Sequence, residues 1–162
     1  MSIVSSDIKF YLTGGVGNTD PNLSLGGDTS STEVSPTLHG LFDAVSSVEA
    51  ESGDAEYRAV SIKNTNGAES AINTIAYISQ ESTGTMDEVA IGYENGIQTV
   101  ANESTAPAGV AFTTPLTKAT GVSLGTIASG GVKRLWVRWT ITAGATKMNP
   151  TQCRFTISVD TV

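Results

Sequence analysis

The chain has 162 residues, 39% hydrophobic but only 15% charged, and its formal net charge is −7. One cysteine and one histidine exclude an internal disulfide and nearly exclude a His/Cys zinc site. A sequence pI of about 4.5 argues against a nucleic-acid binder, which needs a basic footprint.

The missing charge is replaced by 18 Ser, 22 Thr and 17 Gly, residues that favour strands and turns. The start, MSIVSSDIKFYLTGG, lacks a basic region followed by an apolar one, so no signal peptide is expected. No apolar run approaches the about 18 residues needed to span a membrane. A composition suited to the outside of cells without an export signal fits a virus particle assembled in a host cytoplasm. It equally fits a chain whose signal peptide has been removed.

DIKFYLT alternates Ile8, Phe10 and Leu12 against polar neighbours, which predicts a half-buried strand. Gly14 to Thr37 is poor in apolar residues. It is expected to be a long arm with no regular element, ordering mainly on assembly. Leu41, Phe42, Val45 and Val48 fit a helical stripe loosely, and Glu49, Glu51, Asp54 and Glu56 cluster behind it. Residues 1–55 are therefore read as a strand, an arm and a short helix, and residues 56–162 as a β-sandwich, one domain in all.

From Glu56 the pattern is β throughout. YRAVSIKN, with Arg58, Val60 and Ile62 on one face, ends in an NTNG turn and leads into AINTIAYIS. EVAIGY, GIQTVANES, AGVAFTT and GVSLGTI follow as short strands. Val132 to Thr142 is the longest strand, and QCRFTISV closes the chain with Cys153, Phe155, Ile157 and Val159 on one face. About eight short strands with turn signals every 8 to 12 residues predict an all-β fold. The expected form is an immunoglobulin-like or jelly-roll-type antiparallel β-sandwich with an irregular N-terminal arm.

The longest strand has two distinct faces. Odd positions carry Lys133, Leu135, Val137, Trp139 and Ile141, which reads as core. Even positions place Trp136 between Arg134 and Arg138. If this strand and the last one pair as a hairpin, Arg154 joins them. Such an aromatic ringed by guanidiniums is either an interface anchor or a solvated face on which arginine stems cover the ring. Arg134, Trp136, Arg138 and Arg154 are the candidate interface. Opposite charge between Glu49, Glu51, Asp54, Glu56 and Lys133, Arg134, Arg138, Lys147, Arg154 predicts self-association.

Catalytic chemistry finds little support. His39 has no nucleophile motif beside it, and Cys153 sits on an apolar face. Asp87, Glu88 and Glu94 flank one strand and are a candidate Ca2+ set, but a solvated face is the plainer reading, since the calcium-loop spacing is missing. GGVGNTD lacks the lysine and frame of a phosphate loop. No enzymatic activity, cofactor, metal, nucleic acid or membrane is expected.

AVSIKNTNGAESAINTIAYIS with VSLGTIASGGVKRLWVRWTITAGA resembles the immunoglobulin-like modules of bacterial surface and phage proteins. IKFYLTGGVGNTDPNLSLGG with STAPAGVAFTTPLTKATGVSLGTI resembles small structural proteins encoded in tailed-phage genomes. The resemblance implies a virion component, foremost a capsid decoration or cement protein that binds the major capsid protein or other virion proteins and forms oligomer or lattice contacts. A tail, collar or fibre-associated module is the alternative within that class. A carbohydrate-binding or adhesion sandwich is the alternative outside it; that reading needs two or three exposed coplanar aromatics, and Trp136 is the one candidate.

Overall fold

The structure, a computed structural model, describes residues 2–81, 86–146 and 153–160. Two antiparallel sheets pack face to face, as the all-β sandwich reading expects. The strands are β1 (Ile8–Thr13), β2 (Thr29–Glu33), β3 (Asp54–Asn64), β4 (Ala71–Gln80), β5 (Asp87–Glu94), β6 (Val122–Ile127), β7 (Val132–Ile141) and β8 (Arg154–Asp160). The first sheet runs β2-β1-β3-β7-β5 and the second β6-β4-β8.

Period-2 alternation drives the packing. Val60 and Ile62 of β3, Leu135 and Val137 of β7, and Val89 and Ile91 of β5 face the second sheet. They meet Ala76 and Ile78 of β4, Leu124 and Ile127 of β6, and Phe155, Ile157 and Val159 of β8. Three strands are too few to cover five. Val34, Leu41 and Phe42, from the irregular segment before β3, complete the cover. Phe42 packs edge-on against Trp139 with centroids 5.5 Å apart.

The structure corrects several expectations. The arm 14–37 contains β2 and a 3₁₀ turn, Pro21–Leu23, and it is bonded into the fold: Ala59 N–H donates to Ser24 O and Val100 N–H to Leu25 O. The helix, α1, is only Ser47–Ser52, capped by Ser46. Leu41, Phe42 and Val45 of the apolar stripe precede it, and Val48, the one stripe residue on it, is 71% exposed. GIQTVANES and AGVAFTT are not strands; each makes one isolated bridge, Gly26 to Thr99 and Ile91 to Thr113. The last two strands do not form a hairpin, because β7 lies between β3 and β5 while β8 pairs with β4 in the other sheet. A sandwich chain that changes sheets between consecutive strands separates what a hairpin would join. Lys147 and Gln152 lie outside the described residues.

Candidate functional site

Trp136 does point away from Trp139, as parity requires, but it does not reach solvent. It is 0% exposed. Its register neighbours are Ala59 on β3 and Gly92 on β5, two small residues that leave a trough for the ring. Ala59, Val100 and Trp136 form a second small core, joined by Leu25, Tyr57, Val110 and Phe112. The segments around residues 25 and 97–113 thus lie over the outer face of the five-stranded sheet. Both glycines beside the ring permit that approach. A Cβ on Gly92 would stand 2.5 Å from Val110 Cγ1. One on Gly26 would stand 2.0 Å from Gln98 O, and Gly26 is held at φ 95°.

The indole N–H of Trp136 donates to Glu94 Oε2 at 2.5 Å, and Gln98 N–H donates to Glu94 Oε1 at 2.6 Å. Glu94, at the end of β5, therefore fastens both the ring and the lid over it. Such a buried indole needs a partner for its N–H, and a carboxylate is the strongest available.

The arginines separate into three environments. Arg134 is 5% exposed, and its Nε and Nη1 are enclosed without a hydrogen-bond partner among the described residues. Burial pulls its pKa below the usual arginine range, while Glu94 and Asp28 oppose that pull. Arg138 is half-buried, stacks 5.5 Å over the Phe112 ring and donates to Glu88 Oε1 at 2.8 Å. Arg154 is exposed at the start of β8, opposite Gln80. The expected ring of guanidiniums around an exposed Trp136 is therefore not formed. The loss of that ring as an exposed platform also removes the aromatic that a sugar-binding surface was expected to use.

The other candidates are placed as follows. His39 is exposed in a turn at φ 60°. Cys153 is a free, half-buried thiol against the inter-sheet core, where burial, then Glu81 and Asp87, push its pKa up to about 12. Asp87 and Glu94 stand at opposite ends of β5, about 23 Å apart along a strand, so they cannot share an ion. Asp87 accepts from Trp139 Nε1 at 3.2 Å. A shallow groove of about 620 Å³ on the outer face is lined by Tyr57, Glu88, Thr114, Arg138, Thr140 and Thr142, among others. These offer hydrogen bonds and one ion pair.

One constellation was missed in the sequence. Arg58 and Glu56 face the interior near the start of β3, 0% and 2% exposed. Arg58 Nη2 lies 2.6 Å from Glu103 Oε2, 3.2 Å from Glu56 Oε2 and 3.9 Å from Asp43 Oδ1, and its guanidinium stacks 5.4 Å over Phe42. Burial raises the Glu56 carboxyl to about 7; Arg58 pulls it back, and Asp43, Glu103 and Glu49 raise it further. The signal was present in the alternation: Glu56 and Arg58 share the face of Val60 and Ile62, so both charges had to point inward. The expected acidic surface patch thus loses Glu56 to the interior, and the expected basic patch loses Arg134.

The outer face of the second sheet differs from all of these. Register places Ser123, Ile75 and Ser158 in one row and Tyr77 with Thr156 in the next. Ser79 and Ser123 are exposed, and Ile75, Tyr77, Thr156 and Ser158 are half-buried. Among the described residues of this face, charge appears at the ends, with Arg154 at one and the Lys118–Asp160 pair at the other. Asn73, at φ 48° in a β4 bulge, donates to Asp160 Oδ2. This bond first, then Lys118, lowers the Asp160 pKa.

Comparison with protein-family models, curated proteins and solved structures finds no match to the chain.

Proposed function

We propose that the chain is a non-enzymatic structural component of a bacteriophage particle, a capsid decoration or cement protein that seats on the shell of the major capsid protein. The resemblance of its N-terminal and central segments to tailed-phage structural proteins supports the class. The observation that carries the binding mode is the contrast between sheet faces. The outer face of the five-stranded sheet is occupied by its own loops over Trp136, whereas the outer face of β6-β4-β8 carries the uncharged residues Ile75, Tyr77, Ser123, Thr156 and Ser158, with a tyrosine among them. Interface cores are depleted in charge and enriched in tyrosine, so this is the face suited to a partner.

Mass spectrometry of purified particles tests the class. Hundreds of copies agree with decoration, a few dozen or fewer with a tail or vertex part, and absence contradicts both. Co-sedimentation with shells lacking the protein tests the face. Ser158→Lys and Tyr77→Ala should weaken binding at least about tenfold, roughly 1.4 kcal/mol, while Arg138→Ala on the other sheet leaves it unchanged. Equal binding by all three variants contradicts the assignment of the face.

A further inference from the structure

We infer that the free edge of β8 is a dimerisation surface, on which a second copy of this chain adds its own β8 antiparallel about a two-fold axis. This goes beyond the proposed seating on a shell and does not depend on it. β8 is the outer strand of the β6-β4-β8 sheet, and among the described residues its ladder is made with β4 alone. Register shows which groups face the edge. Ile78 pairs with Phe155, yet the Ile78 N–H donates to Pro115 O. Ile78 and Phe155 are therefore a non-hydrogen-bonded pair, and by alternation Phe155 and Ile157 turn their N–H and C=O groups away from β4.

The other sheet edges are guarded. Ile91 of β5 exchanges two backbone bonds with Thr113, Ser31 N–H of β2 donates to Val16 O, and β6 is interrupted by Gly125 at φ 69°. β8 carries none of the usual guards between its ends, since no charge, proline or glycine occurs from Phe155 to Val159. Its inward side chains are unfinished as well. Phe155, Ile157 and Val159 pack on the inter-sheet core but stay half-buried, whereas Ala76 and Ile78 of β4 are buried. A strand added at this edge covers both the backbone groups and these side chains.

The strand's own sequence selects the occupant. In RFTISVD, antiparallel pairing of two copies centred on Ile157 sets Arg154 opposite Asp160, Phe155 opposite Val159, Thr156 opposite Ser158 and Ile157 opposite itself. Every pair matches in chemistry and in face. The odd residues meet as hydrogen-bonded pairs on the core side. The even residues meet on the outer side as the closer, non-hydrogen-bonded pairs, where opposite charges and Thr–Ser pairs are favourable. Arg154 and Asp160 are exposed at opposite ends of the strand, so a two-fold axis forms their ion pair twice. The product is one continuous sheet, β6-β4-β8-β8-β4-β6, across two copies.

The test uses the full chain in free solution, without shells. Sedimentation velocity is run from about 1 µM to about 1 mM, because an interface one strand wide belongs to the small, weak class. The expected result is a monomer at low concentration and a dimer at high concentration. Arg154→Asp and Asp160→Arg should each weaken association at least about tenfold, since each sets like charges opposite one another twice. An equimolar mixture of the two variants should restore it, because each chain then meets opposite charge. Amide hydrogen exchange at Phe155 and Ile157 should slow as the dimer forms. A monomer throughout, variants that dimerise as tightly as the wild type, or a mixture no better than its components would overturn the proposal. Exchange at Phe155 and Ile157 that is already slow in the monomer would also overturn it, by showing this edge covered by the chain itself.

Discussion

The two tryptophans of β7 lie three residues apart on opposite faces of one sheet, and their surroundings differ in kind. Trp139 looks toward the second sheet, is half-buried, and is finished by Phe42 from an irregular segment. Trp136 looks outward, where a sandwich ordinarily meets water, yet it is the more buried of the two. Its cover comes from loops without regular structure, pinned by Glu94 and admitted by Gly26 and Gly92. The indole N–H groups are tied to opposite ends of β5, Trp136 to Glu94 and Trp139 to Asp87. Parity decides which side a residue takes; what lies on that side decides whether it is core or surface.

The largest way to break this comparison is Trp136→Ala. It should cost about 3–5 kcal/mol, as for a large aromatic removed from a core, and clearly more than Trp139→Ala, measured by urea unfolding. If Trp136→Ala is the milder of the two, the closed outer face is wrong.

Glu56 sharpens the comparison at the Trp139 side. Its carboxyl titrates at about 7 in the fold against 4.5 when free, so between those values the folded state holds a proton that the unfolded state has released. The stabilisation is fully present below about pH 4.5 and is lost as pH rises through about 7. The loss is on the order of 3 kcal/mol for a shift of this size. Glu56→Gln should remove this decline. A wild-type stability that does not fall relative to Glu56→Gln across that window contradicts the assignment.

Gly26→Ala probes the lid over Trp136 from the opposite direction. Its positive φ and the close Gln98 carbonyl predict a loss of at least about 1–3 kcal/mol, with faster hydrogen exchange at Val100. The smallest effect is expected from Arg138→Ala. Its pair with Glu88 is partly exposed, so about 0–1 kcal/mol is at stake.

Much of the fold was legible because alternation is a strong signal. β1 and β3 to β8 all follow from it, as does the inward row Leu135, Val137 and Trp139. β2 was not legible, because TSSTE has no apolar alternation and forms a strand only by pairing with β1. Residues 96–114 carried apolar residues but also Gly96, Pro107 and Gly109, which interrupt ladders. Val100, Val110 and Phe112 serve there as a lid instead. Trp136 was placed on the correct side and given the wrong exposure. The clue was the pair of small residues, Ala59 and Gly92, that register sets beside it, and register depends on pairings the sequence alone does not order. Arg154 was grouped with Arg134 and Arg138 on the assumption that consecutive strands pair, which the change of sheet between β7 and β8 defeats.

The closed outer face is the claim on which the choice of binding surface depends, and single-tryptophan fluorescence tests it most directly. Trp139→Phe leaves only Trp136, and Trp136→Phe leaves only Trp139. The account predicts that Trp136 emits at the shorter wavelength and resists acrylamide quenching in the native chain, with Trp139 quenched more readily. Trp136 emission at water-exposed wavelengths, quenched as fast as Trp139 or faster while the chain remains folded, would contradict it.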